Sequence, residues 1–101
     1  MSALTSRQRS HLRKLAHSLD PIVLVGRAGM TDAVVREIDD ALEARELIKV
    51  RLSGDRDERA PAAAAIAART GAEVAGQIGR ALILYRENAD PSRRRIELPP
   101  T

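Results

Sequence analysis

The sequence predicts an α/β domain of order α-β-α-β-α-β-β around a four-stranded mixed sheet, grouped as two-layer α+β in some schemes. Three observations carry this reading. Two short apolar runs, 22–25 and 47–52, alternate with segments of helical periodicity, giving two β-α-β passages with right-handed crossovers. A third helical segment follows, and 73–85 closes the chain as a hairpin that adds an antiparallel strand.

The first helix starts at Thr5, with Gln8 three residues on completing a capping box. Gln8, Leu12, Leu15, Ala16 and Leu19 then fall on one stripe, with Arg7 and Lys14 nearly opposite and Arg13 flanking. Asp20-Pro21 ends it. Ile22 to Val25 reads as a strand with both faces at least partly covered, stopped by Gly26. Thr31 caps the second helix, whose apolar face is Val34, Val35, Ile38, Ala41 and Leu42 and whose outer face shows Asp32, Asp39, Asp40 and Glu43. Along 47–52, Ile48, Val50 and Leu52 point one way and Lys49 and Arg51 the other, so one face is wet or occupied by an anion. Residues 53–57 read as a loop, Pro61 as the first turn of an alanine-rich helix, and Gly71 as its C′ residue. Gly79-Arg80 suits a type II′ turn between strands 73–78 and 81–85. Residues 87–101, with three prolines and Arg93-Arg94-Arg95, read as a basic, mobile tail after a single domain spanning 1–86.

Composition narrows the function classes. The absence of cysteine excludes disulfides and thiolate metal sites and makes a reducing cytoplasm the expected location. Met1 to Lys14 lacks the apolar run of a signal peptide, and no later stretch suggests a membrane span. Charge is unevenly placed. Residues 1–30 hold five bases against one acid, while residues 31–60 hold nine acids against six bases. Such a chain can offer one face to a polyanion while another repels it.

The turn Gly26-Arg27-Ala28-Gly29 joins a strand to a helix. Gly26 would allow a tight exit from the strand, and Gly29 would leave room for another backbone to approach. The helix N-terminus behind it favours phosphate, and Arg27 adds a mobile cation. The G-x-x-G clamp of KH domains holds nucleic-acid backbone in a related way, although a bare G-x-x-G is most often a plain turn. No Gly-Lys-Ser/Thr follows and a third glycine is missing, so neither a P-loop nor a dinucleotide fingerprint is present. Arg7, Arg13 and Lys14 could extend a phosphate track, joined by Lys49 and Arg51 if the first helix packs nearby; their plainer role is a solvated face.

Catalytic groupings are poor. His11 and His17 have no partner at motif spacing, and Asp55-x-Asp57 lacks the glycine and distant glutamate of a calcium loop. Asp39-Asp40 and Asp55, Asp57 and Glu58 read as solvated acids rather than nuclease carboxylates. Tyr85 is the one aromatic available for base stacking, which argues against sheets that stack several bases on aromatics.

Taken together, several ordered motifs resemble one family. They are Leu4-Thr5, Leu15-Ala16-His17, Pro21 to Gly26 running into Gly29-Met30-Thr31, Glu46 to Val50, and Ile78 to Arg86, with a short echo at Ile96-Glu97-Leu98-Pro99. The sequence resembles the CRM domain (chloroplast RNA splicing and ribosome maturation) in its stand-alone bacterial YhbY-like form, over about residues 4–86. The resemblance implies a compact RNA-binding fold similar to the C-terminal domain of a bacterial translation initiation factor. It also implies association with precursors of the large ribosomal subunit and places the family's GxxG loop on Gly26, Arg27, Ala28 and Gly29. Ala28 stands where relatives often carry a polar residue.

The expectation is therefore a non-enzymatic, monomeric RNA-binding protein with no cofactor, no metal, no membrane and no small-molecule substrate. Its partner would be ribosomal RNA or a pre-ribosomal particle. The contacts would be Gly26, Arg27, Ala28, Gly29, Arg7, Arg13, Lys14, Lys49 and Arg51. The alternative is an adaptor that binds a ribosomal protein or assembly factor through a sheet edge or the tail.

Overall fold

A computed structural model describes residues 4–26 and 29–100 of the chain. Its elements are α1 (Ser6–Ala16), β1 (Val23–Val25), α2 (Asp32–Arg45), β2 (Leu47–Leu52), α3 (Arg56–Thr70), β3 (Glu73–Ile78) and β4 (Ala81–Tyr85), followed by a 3-10 turn at Pro91–Arg93. The sheet order is β1-β2-β4-β3, with β1 parallel to β2 and the other pairs antiparallel. This is the expected mixed α/β arrangement.

Capping fixes the helix starts. The Thr5 hydroxyl accepts the Gln8 N–H at 3.1 Å, and the Gln8 side-chain oxygen accepts the Thr5 N–H at 3.1 Å. Thr31 likewise accepts the Val34 N–H at 3.2 Å. Each bond satisfies a donor the helix leaves without a partner. Helix α3 begins earlier than Pro61 suggests. Asp55 and Glu58 form a second capping box, with bonds of 3.0 and 3.4 Å, and Pro61 lies inside the helix. The sequence signal for this start is the Asp55-x-x-Glu58 spacing, which outweighs the loop expected over 53–57.

Helices α2 and α3 cover one sheet face. Ile38, Leu42, Ala63 and Ile66 pack there against Val23, Val25, Ile48, Val50, Leu52, Leu82 and Leu84. Helix α1 covers part of the other face, where Leu12 and Ala16 meet Leu47, Ala75, Ile83 and Tyr85. The sheet thus has helices on both sides. Each aliphatic side chain fully withdrawn from water contributes roughly 1.5–3 kcal/mol.

Strand β1 departs from expectation. Only Val23 and Val25 are buried, while Ile22 and Leu24 are exposed on the α1 side. It is an edge strand beyond the reach of α1, so one of its faces remains open.

The C-terminal segment also differs from a free tail. Glu46, almost fully buried and at a positive φ of 66°, accepts N–H bonds from Asn88 (2.7 Å), Arg95 and Ile96 (3.2 Å). Gln8 donates to the Pro99 carbonyl at 3.0 Å, and Ile96 and Leu98 pack on the α1-side core. The prolines and arginines that suggested mobility hid three backbone donors aimed at one buried carboxylate. Burial alone would raise the Glu46 pKa, but these three donors and the Arg94 charge hold it below its ordinary value.

Candidate nucleic-acid interface

Gly26 and Gly29 come together just past the carboxyl end of β1. The Gly26 carbonyl accepts the Gly29 N–H at 2.9 Å, and the Gly29 carbonyl accepts the Thr31 N–H at 3.0 Å. Arg27 and Ala28, two of the expected contacts, lie outside the described residues. The two glycines exchange the roles the sequence suggested. Gly29 has φ +72°, a left-handed conformation that favours glycine. Gly26 has an ordinary φ, and a Cβ there would meet nothing within 4 Å. Neither backbone conformation nor packing among the described residues demands glycine at 26, and the space those residues leave beside it is open.

The start of α2 is less welcoming to phosphate than expected. Arg69 donates to the Met30 carbonyl at 2.7 Å and pairs with the Asp32 carboxylate at 3.1 Å. A negative charge therefore already sits at the positive end of that helix.

The turn borders an open crevice of about 820 Å³ at the carboxyl ends of the parallel strands β1 and β2, a usual ligand position in α/β sheets. Gly26, Gly29, Ser53 and Arg80 line it together with the Asp55–Glu58 capping box. An RNA phosphate would favour the Arg80 side over the carboxylates. Local sequence marks Arg80 only as a turn residue; its place in the Ile78 to Arg86 motif is the signal that reaches further.

The other expected cations divide into two groups. Lys49 and Arg51 lie on the β2 face that α1 partly covers, as their pairing opposite Ile83 and Ala81 requires. Arg13 reaches the same face. Its guanidinium donates to the Ala75 carbonyl at 3.1 Å, and its aliphatic chain crosses Gly76. Arg7 and Lys14 are exposed and point from the opposite side of α1, away from the sheet. The cations thus share one side of the molecule without converging on one point.

The acids of α2 have structural partners. Arg86, at the end of β4, pairs with Asp39 and with Glu43 (3.5 Å) and donates to the Thr70 carbonyl at 2.7 Å. Tyr85 is not available for stacking, because its ring is buried in the α1-side core. Its hydroxyl has no hydrogen-bond partner among the described residues, and burial, with the Glu46 and Glu87 charges, pushes its pKa up to about 12. Among the described residues no group of three His, Asp or Glu side chains could hold a metal ion, and no helix is long and apolar enough to cross a membrane.

Comparison with known proteins fits this picture. Residues 4–86 match the family described as the CRS1 / YhbY (CRM) domain. A Haemophilus influenzae protein named "RNA-binding protein" is 39% identical over 98% of each chain. The Bacillus subtilis "Probable RNA-binding protein YqeI" is 38% identical over 95% of this chain and 99% of its own. The solution structure of the hypothetical protein SAV1595 from Staphylococcus aureus superposes with a TM-score of 0.83 at 38% identity, covering 95% of this chain and 99% of that one.

Proposed function

This chain belongs to the CRS1 / YhbY (CRM) domain family, and from that premise we propose that it is a non-enzymatic RNA-binding protein acting in assembly of the large ribosomal subunit. RNA backbone lies against the Gly26–Gly29 turn, with Arg27 of the same sequence motif contributing charge, and along the cationic side formed by Arg7, Arg13, Lys14, Lys49 and Arg51. One observation carries the reading: the turn leaves open space at Gly26 on an α/β scaffold whose full-length relatives are named for RNA binding. The Gly29 N–H bond to the Gly26 carbonyl holds the two glycines together, and the cations supply charge without aromatic platforms. The chain therefore holds backbone rather than reading base identity at the turn. The ion-paired acids of α2 face away from the RNA.

Crosslinking in cells followed by sequencing of the bound fragments tests the proposal. The expected result is enrichment of large-subunit ribosomal RNA and its precursors. Recovery of no RNA, with capture of a ribosomal protein or assembly factor that survives nuclease treatment, would replace this reading with a protein adaptor.

A further inference from the structure

Helix α1 covers only part of its sheet face. Leu24 lies beside Arg51, Arg51 opposite Ala81, and Ala81 opposite Ile78, which makes one row across all four strands. Strand spacing gives this row a length of about 14 Å. It is open: Leu24 is 63% and Ile78 65% exposed. In the next row Ile22 and Lys49 are neighbours, while Ile83 is buried beneath α1 and Gly76 lies under Arg13.

We propose that the row Leu24–Arg51–Ala81–Ile78 seats unpaired RNA bases, so that the bound RNA is single-stranded or looped where it crosses the sheet. The inference rests on the RNA-binding reading above and adds the class of RNA. The row lies between the Gly26–Gly29 turn, which starts two residues after Leu24, and α1. RNA held at both must cross it. Neither row contains a carboxylate, and Asp20 flanks Ile22 and Lys49 only at the α1 end. An apolar protein surface docked here would bury Arg51 and Lys49 without partners, which is costly. RNA gives each cation a phosphate and gives Leu24 and Ile78 a base face or sugar to cover them. An A-form duplex keeps its bases stacked inside and has none to offer.

The test measures binding of a labelled, unstructured RNA oligonucleotide of mixed sequence, and of the same strand annealed to its complement. The proteins are the wild type, Leu24→Ser/Ile78→Ser and Lys14→Glu, each followed across a salt series. The double variant should bind the single strand about five- to tenfold more weakly, with unchanged duplex affinity and salt slope, because apolar contact releases no counterions. Lys14→Glu should weaken both RNAs. If the double variant melts early, Leu24→Gln carries the same expectation at smaller size. Wild-type single-strand affinity in the double variant, with Lys14→Glu weakened, overturns the base seat and leaves the backbone reading standing. If neither variant changes either affinity, both readings fall. Sedimentation showing self-association of the wild type that the double variant loses, with RNA affinity unchanged, would make this face an interface between copies and overturn the proposal.

Discussion

Arg13 lies across Gly76 so closely that a Cβ on Gly76 would come 2.5 Å from the Arg13 Cδ, while the guanidinium donates to the neighbouring Ala75 carbonyl at 3.1 Å. This contact locks α1 to the edge strand β3 and places one cation at the border of the open sheet face. Gly76→Ala should therefore cost about 1–2 kcal/mol by displacing Arg13. In an Arg13→Ala background the same change should cost close to nothing. Urea unfolding of the four proteins in this cycle checks it; equal costs in both backgrounds would refute the contact's role.

Glu46 is the buried anchor of the C-terminal segment, and Glu46→Gln should cost about 1–3 kcal/mol by weakening three charge-assisted bonds. Its pKa is lowered in the folded chain from an ordinary 4.5. Its contribution is therefore fully present above about pH 4.5 and is lost as pH falls through the lower folded value. Amide exchange at Asn88, Arg95 and Ile96, corrected for intrinsic rates, should accelerate in that acid window for the wild type. Glu46→Gln should exchange faster at neutral pH and lack the acid step.

The two glycines of the turn should separate folding from binding. Gly29→Ala forces a side chain into φ +72° and should cost about 1 kcal/mol of stability. Gly26→Ala should leave the melting temperature unchanged, because its φ is ordinary and its Cβ would meet nothing. It should nevertheless weaken RNA binding, since the methyl group intrudes where backbone approaches. Calorimetry and RNA titration on the same samples decide this; a Gly26→Ala protein with full RNA affinity would exclude close approach at that position.

Tyr85 buries a hydroxyl that has no partner among the described residues. Tyr85→Phe should hold stability level or raise it by up to about 1 kcal/mol, since it removes an unsatisfied polar group. RNA affinity should not change, because the ring is in the core. A drop in RNA affinity with unchanged stability would return Tyr85 to the interface.

How far the sequence reveals the molecule depends on how local each determinant is. The Thr5–Gln8 box, the Thr31 cap, the Gly71 helix end and the strand alternation at Ile48, Val50 and Leu52 are read from neighbouring residues, and the structure has them all. The openness of β1 escapes such reading, because four apolar residues in a row do not say how far α1 extends over them. The Glu46 anchor escapes for a similar reason: its donors are backbone N–H groups some forty to fifty residues away, which carry no side-chain signature. At the candidate site, residue types marked the turn and its cations. They could not tell which glycine needs its conformation and which leaves room, nor that Arg69 and Asp32 already occupy the start of α2.

The central claim is that RNA backbone lies on the Gly26–Gly29 turn, held mainly by charge. The most direct measurement is the affinity of wild type and Arg27→Glu for a structured ribosomal RNA fragment across a salt series, with thermal unfolding of both proteins. The wild type should show log affinity falling linearly with log salt, and Arg27→Glu should bind more weakly, with a slope shallower by about one and an unchanged melting temperature. Affinity that is insensitive to salt, or equal in the two proteins, would contradict the account.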